Sequence, residues 1–243
     1  MIQIGNDKIK DIYIGSDKIK EVYYGSEKVW GEIESIQDGY WVHKDTGVKT
    51  YFGADADFIT DGVMSRPSWI ANAKEIRLCT GITEFEVTHY SDPEWGDFDW
   101  CIVFHFIPDG PTYGGNDVLE KIDFGNAEVE VTHESLFYLA TALTEAILND
   151  NVVSINSHTF SGCESLECVD IGSGVEHIGY FVFGNCLNLD LVYIRATTPP
   201  TGEWLYEFGT INTNLQLKVP PASVNAYLAA ITDTNLKTKV TAI

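Results

Sequence analysis

Leu143, Leu166 and Leu189 follow one another at intervals of 23 residues, and the chain between them repeats at the same interval. LTEAILNDNVVSINSHTFSGCES overlays LECVDIGSGVEHIGYFVFGNCLN, so that Val152 falls on Val175, Ile155 on Ile178, Phe160 on Phe183 and Cys163 on Cys186. With one extra residue the pattern extends back to Leu119, where Phe137 takes the aromatic place and Ala140 the cysteine place. AKEIRLCTGITEF (73–85) supplies the strand-and-turn half of an earlier unit. Units this short cannot bury their own apolar residues, but stacked copies cover one another and share one continuous core. Each unit is expected to give a short strand, L-x-x-V-x-I, then a turn, a second extended piece and an irregular or helical return. The expected repeat core is Phe137, Ala140, Val152, Ile155, Phe160, Cys163, Val175, Ile178, Phe183 and Cys186. The five cysteines include no C-x-x-C pair, so two of them at one repeat position read as small packing residues rather than metal ligands or nucleophiles.

The first thirty residues repeat with a different period. Gly5, Gly15 and Gly25 coincide at a spacing of ten, as do Lys8, Lys18 and Lys28, and Ile9, Ile19 and Val29. Alternating apolar stretches such as Ile12-Tyr13-Ile14 mean strand, and Gly-Ser-Asp means turn. One strand and one tight turn per unit predict an antiparallel β-meander that needs another surface to pack on, with Trp30 as its docking residue. DGYWVHKDTGVKTYFG (38–53) reads as one more hairpin turning at Lys44–Gly47. The expected fold is mainly β with short helices (α+β): a β-meander and hairpin attachment domain over 1–64, then a solenoid over 65–243. Its repeats fall near 73–118 (with an insertion after Phe85), 119–142, 143–165, 166–188 and 189–214, and a strand-helix-strand cap closes it over 215–243.

The units carrying Val152, Ile155, Phe160, Gly162-Cys163 and Leu166, then Val175, Ile178, Phe183, Cys186 and Leu189, resemble the BspA-like leucine-rich repeats of bacterial surface proteins. LQLKVPPASVNAYLAA, from Leu215, resembles the closing segment of such arrays, and SRPSWIANAKEIRL resembles their entry cap, with Trp69 as its core residue. The decapeptide array resembles the opening of tail-associated structural proteins of gut-bacterial phages and prophages. Together these resemblances imply a non-enzymatic binding or adhesion module. It would present its repeat surface to a protein or glycan and join the other subunits of a phage or surface assembly through its N-terminal part. A secreted cell-surface adhesin is the alternative.

Charge narrows the partners. With 36 acidic and 15 basic residues the net charge is −21, which argues against nucleic-acid backbones and anionic membranes. No stretch approaches the ~18 apolar residues of a membrane span. No signal peptide is seen, so the chain is expected to be virion-associated or cytoplasmic as made, with the cell surface as the alternative. Catalytic signatures such as G-x-S-x-G and H-E-x-x-H are missing, and His158 and His177 read as structural or surface residues of the repeat. Two acidic stretches, Asp55, Asp57 and Asp61, and Asp92, Glu94, Asp97 and Asp99, read as solvated loops. Calcium is the alternative for either, although neither has the spacing of a calcium loop, and the expectation is no cofactor. The other class of alternative is a glycan hydrolase using paired carboxylates.

The binding surface is expected from period-two alternation. If Leu, Val and Ile of L-x-x-V-x-I point inward, the residues flanking the Val point outward and form a ladder. It reads Glu75 and Arg77, Lys121 and Asp123, Glu145 and Ile147, Cys168 and Asp170, Leu191 and Tyr193, charged at the early end and apolar at the late end. Trp204 and Tyr206 would extend it, unless Trp204, Leu205 and Phe208 cap the open end.

Overall fold

The structure, a computed structural model, describes residues 12–14, 17–19, 22–24, 27–30, 38–53, 55–92, 96–101, 103–104, 115–202 and 213–243, with the side chains of 12–30 and 88–101 outside the description. The docking role expected of Trp30, the Asp92 to Asp99 carboxylates, and Trp204, Leu205, Tyr206 and Phe208 therefore lie outside it.

The decapeptide array forms hairpins of very short strands. β1 (Ile12–Ile14) pairs antiparallel with β2 (Asp17–Ile19), and β3 (Val22–Tyr24) with β4 (Glu27–Trp30). The expectation of one strand per ten residues is corrected: each of the two described units gives two. In sequence, Gly15-Ser16 and Gly25-Ser26 separate the paired strands, and Asp17-Lys18, the end of the expected Gly-Ser-Asp-Lys turn, is itself strand. The pairing is antiparallel as expected, but as two separate two-stranded sheets.

The rest is built on one sheet. β5 (Gly39–His43) and β6 (Lys49–Phe52) form the expected hairpin, turning through Gly47 at φ +66°, where glycine meets no steric cost. β7 (Ile59–Thr60) and β8 (Val63–Met64) follow, then β9 (Ala73–Arg77). β10 (Glu84–Phe85) pairs parallel with β8, and the insertion is an antiparallel hairpin of β11 (Val87–Asp92) and β12 (Gly96–Cys101). The repeat strands are β13 (Lys121–Asp123), β14 (Glu145–Leu148), β16 (Cys168–Ile171) and β18 (Leu191–Ile194), with β15 (Ser154–Ile155) and β17 (His177–Ile178) between them. β19 (Gln216–Val219), α1 (Val224–Ala230), α2 (Thr234–Lys237) and β20 (Val240–Ala242) complete the chain. The main sheet has nine strands in the order β20-β19-β18-β16-β14-β13-β9-β5-β6; from β9 to β20 the pairing is parallel and in chain order. β15 and β17 make a second, narrower parallel ladder, extended by bridges Val131↔Ser154 and His177↔Thr201. The architecture is a β-solenoid of about six turns.

Alternation explains the core. β14, β16 and β18 each bury every second residue, so Ala146, Val169 and Val192 stack in one inward row, and Leu148, Ile171 and Ile194 in the next. Leu119, Leu143, Leu166 and Leu189 are all 0% exposed and form a third row. Val152, Val175, Ile155 and Ile178 line the second ladder, and none exceeds 3% exposure. The rings of Phe104, Phe137, Phe160 and Phe183 stack through the centre at centroid distances of 4.8, 5.3 and 5.9 Å. Ala140, Cys163 and Cys186 lie beside them, the thiols of Cys163 and Cys186 each donating to a carbonyl of the preceding turn, those of Phe137 and Phe160. Burial holds the Cys163 thiol well above its ordinary pKa, as expected of a packing residue.

Among the described residues the returns from 135 to 142, 158 to 165 and 181 to 188 take the irregular of the two forms expected. They are runs of tight turns that bond to the next coil at every second residue: 135 to 157, 137 to 159 and 139 to 161, then 158 to 180, 160 to 182 and 162 to 184. This works because two backbone positions per coil are left-handed. Ser135, His158 and Phe181 form one such column (φ 58°, 59° and 54°), and Leu139, Gly162 and Asn185 the other (φ 56°, 78° and 58°). Left-handed backbone is costly for a residue as large as Phe or Leu, so tertiary packing must hold it there.

Two caps close the stack. At the C-terminus, β19-α1-α2-β20 is the strand-helix-strand cap, and Tyr227 is fully buried with its hydroxyl donating to the Ala196 carbonyl at 2.9 Å. At the N-terminus, Trp69 stacks on Trp41 at 5.0 Å and meets Phe52 and Phe58. Trp41 and Phe52 belong to β5 and β6, whose first strand pairs with β9. The boundary expected at 64/65 therefore falls inside one core: β5 and β6 join the nine-stranded sheet, and Phe52 and Met64 pack into the core of the solenoid.

Candidate binding face

The outward residues of the nine-stranded sheet form two rows. One runs Glu75, Lys121, Glu145, Cys168, Leu191, Gln216; the other runs Tyr40, Arg77, Asp123, Ile147, Asp170, Tyr193, Lys218. All nine residues named for the surface from the sequence, with Cys168, lie in these rows at matching register. They are partly exposed except Asp123, which is buried. Tyr40, Gln216 and Lys218 extend the rows beyond those residues, and Lys49 stands opposite Val42, which is opposite Glu75.

The charged rungs pair across strands. Arg77 Nη1 donates to Asp123 Oδ2 at 2.7 Å, and Lys121 Nζ to Glu145 Oε2 at 2.7 Å. Burial alone would lower the Lys121 ammonium, but its hydrogen bond to Glu145, together with the charges of Glu145 and Asp123 and the nearby Tyr40, raises its pKa on balance. Arg195, one step past the end of β18, reaches back to Asp170 with two bonds, Nε to Oδ1 at 2.6 Å and Nη2 to Oδ2 at 2.5 Å, and its guanidinium carbon stands 5.7 Å from the centre of the Tyr193 ring. That bidentate pair raises the Arg195 pKa. At the other end of the sheet Lys49 Nζ lies 3.5 Å from the Tyr40 ring centre. Sequence reasoning missed Arg195 because it lies beyond the strand; the signal was an outward aspartate on the neighbouring repeat that needed a cation.

Lys49, Arg77, Lys121, Arg195 and Lys218 thus stand with Glu75, Asp123, Glu145 and Asp170, giving a nearly neutral face on a chain of net charge −21. Between the pairs lie Ile147, Cys168, Leu191 and Tyr193. The Cys168 thiol is pushed up in pKa by burial first and then by Glu145 and Asp170.

The other acidic features are different. Asp55, Asp57 and Asp61 are exposed on the loop around β7. A groove of about 560 Å³ lies along the second ladder, walled by Glu84, Glu128, Glu130 and His133, with His133 Nε2 3.9 Å from Glu84. Among the described residues no three His, Cys, Asp or Glu side chains are grouped to hold a metal ion, and no helix is long and apolar enough to cross a membrane.

Parallel coils of 23 to 25 residues from β13 to β20, a leucine row and an aromatic stack define a leucine-rich-repeat solenoid. The chain belongs to the BspA type leucine rich repeat family, whose six-copy region matches residues 114–240. No curated protein matches the sequence. Membership in this family suggests a repeat module of the protein-binding or adhesion type.

Proposed function

We propose that this chain is a non-enzymatic binding module whose ligand, a protein or glycan, docks on the outward rows of the nine-stranded sheet. The carrying observation is the register itself: apolar Ile147 on β14 and Leu191 and Tyr193 on β18 are partly exposed on either side of β16, on strands held in parallel register, and are flanked by ion pairs. A few apolar or aromatic anchors inside a polar rim are what binding surfaces are made of. The decapeptide hairpins, which have a period of their own, would join the module to a larger assembly, a phage or prophage particle in this reading and a cell surface in the alternative one.

The test uses the full chain, fluorescently labelled, on a panel of intact bacterial and epithelial cells. Ile147→Ser with Leu191→Ser should abolish cell binding without changing the melting temperature. Undiminished binding by that variant would refute the assignment of the face. Attachment is read separately, by whether the chain co-sediments with particles from an induced lysogen.

A further inference from the structure

We propose that the corner of this face formed by Asp170, Arg195 and Tyr193 binds a neutral carbohydrate, an inference that rests on the reading of the face given above. The fork between Arg195 and Asp170 is fixed by two bonds of 2.6 and 2.5 Å. Those bonds use two of the five donors of a guanidinium. The two side chains remain 46% and 24% exposed, so the remaining donors and the carboxylate lone pairs reach solvent together. Tyr193 sits directly opposite Asp170 in the register, with Leu191 two residues before it and Ile147 on the next strand but one. The result is a partly exposed aromatic ring beside a rigid edge that both donates and accepts. A sugar has the complementary form: an apolar C–H face for the ring and a rim of hydroxyls that both donate and accept.

Charge decides between ligand classes. Each carboxylate in the centre of the face already holds a cation: Asp123 with Arg77, Glu145 with Lys121, Asp170 with Arg195. An anionic ligand at the open Arg195 donors would place its charge beside the Asp170 carboxylate and on a chain of net charge −21. A cationic ligand at the open Asp170 lone pairs would place its charge beside the Arg195 guanidinium. Hydroxyl groups meet neither repulsion and add to the open positions of the pair. Binding should therefore depend little on salt, since screening acts on net charge.

The experiment probes the full chain with an array of neutral hexose and N-acetylhexosamine oligomers, with heparin and polysialic acid as acidic probes, at low and high salt. The expected result is a neutral oligomer bound with little salt dependence. Tyr193→Ala and Asp170→Asn should each weaken it about tenfold or more, about 1.4 kcal/mol, while Tyr51→Ala at the far edge of the sheet leaves it unchanged. If Asp170→Asn fails to fold, Tyr193→Ala decides alone. Binding of acidic glycans only, or of neutral ones with full affinity in the Tyr193 variant, overturns the inference. No glycan bound, with cell binding still lost in the Ile147/Leu191 variant, overturns the carbohydrate and leaves the face. If cell binding is indifferent to that variant as well, both readings fall.

Discussion

Phe160→Ala tests the stacked core most directly. Phe160 is 0% exposed, and its ring lies between those of Phe137, at 5.3 Å and 8°, and Phe183, at 5.9 Å and 1°. Removing the ring forfeits ~2 kcal/mol of transfer free energy. A rigid stack relaxes little, and a residual cavity of ~50 Å³ at ~24 cal/mol per Å³ adds ~1.2 kcal/mol. Two lost ring pairs at ~0.5 kcal/mol each bring the total to ~4 kcal/mol. That is a large part of the ~5–15 kcal/mol of a typical domain. Position matters too, because each coil of a solenoid touches only its neighbours, so a weak central coil uncouples the two halves. Urea unfolding followed by far-UV circular dichroism should show a lower midpoint and a broader or two-step transition. The exposed Tyr180→Ala, on the same coil as Phe183, should stay near wild type. A loss below about 1 kcal/mol with an unbroadened transition would refute the continuous aromatic stack.

Other consequences follow from single groups. Tyr227→Phe should cost about 1–2 kcal/mol in the same assay, because it leaves the buried Ala196 carbonyl without its donor; no loss would remove the hydroxyl from the cap. The Asp150 carboxyl is held below its ordinary pKa of 3.8 by the backbone N–H of Ser173, 2.6 Å away, and then by the Ser173 hydroxyl. A depressed carboxylate stabilises above its unfolded pKa and loses that contribution as pH falls through the folded one. Asp150→Asn should therefore melt lower than wild type at neutral pH, with the gap closing in strong acid; a pH-independent gap contradicts the bond. Among Cys79, Cys163, Cys168 and Cys186, maleimide should modify Cys168 first in the native chain, since the other three are buried. Burial, then Asp38, pushes the Cys79 thiol up to about 12. Early labelling of Cys79, read by peptide mass, would contradict its burial.

Most of the solenoid was legible because inward residues of identical type recur at a fixed interval. Leu143, Leu166 and Leu189 set the frame, and strict alternation then placed Glu145 opposite Cys168 and Ile147 opposite Asp170. Three things were hidden. The second strand of each described decapeptide unit is hidden because Asp17-Lys18 and Glu27-Lys28 are polar and follow Gly-Ser, so they look like the end of a turn. The joining of β5 to β9 was hidden because the hairpin carries none of the repeat pattern: Trp41 opposes Ile76 across an antiparallel pair, a contact that periodicity does not encode. The left-handed columns were hidden because Phe181 and Leu139 are residues that avoid that backbone; packing imposes it, and only Gly162 and Asn185 in the same columns hint at it. At the proposed binding face, the rows follow from alternation, whereas Arg195 comes from beyond the strand.

The parallel, chain-ordered pairing from β9 to β20 also determines how the molecule bears load. Neighbours along the stack are neighbours in sequence, so tension between the chain's ends cannot shear many rungs at once; it peels them from the last coil inward. Each freed coil of 23 residues would release ~80 Å of chain at ~3.3–3.6 Å per residue. Force spectroscopy should record a sawtooth of low, evenly spaced steps, and one abrupt full-length rupture would contradict it. Pulled at both ends, such a module would yield gradually and rewind when slack returns, acting as a shock absorber in whatever line of force it lies.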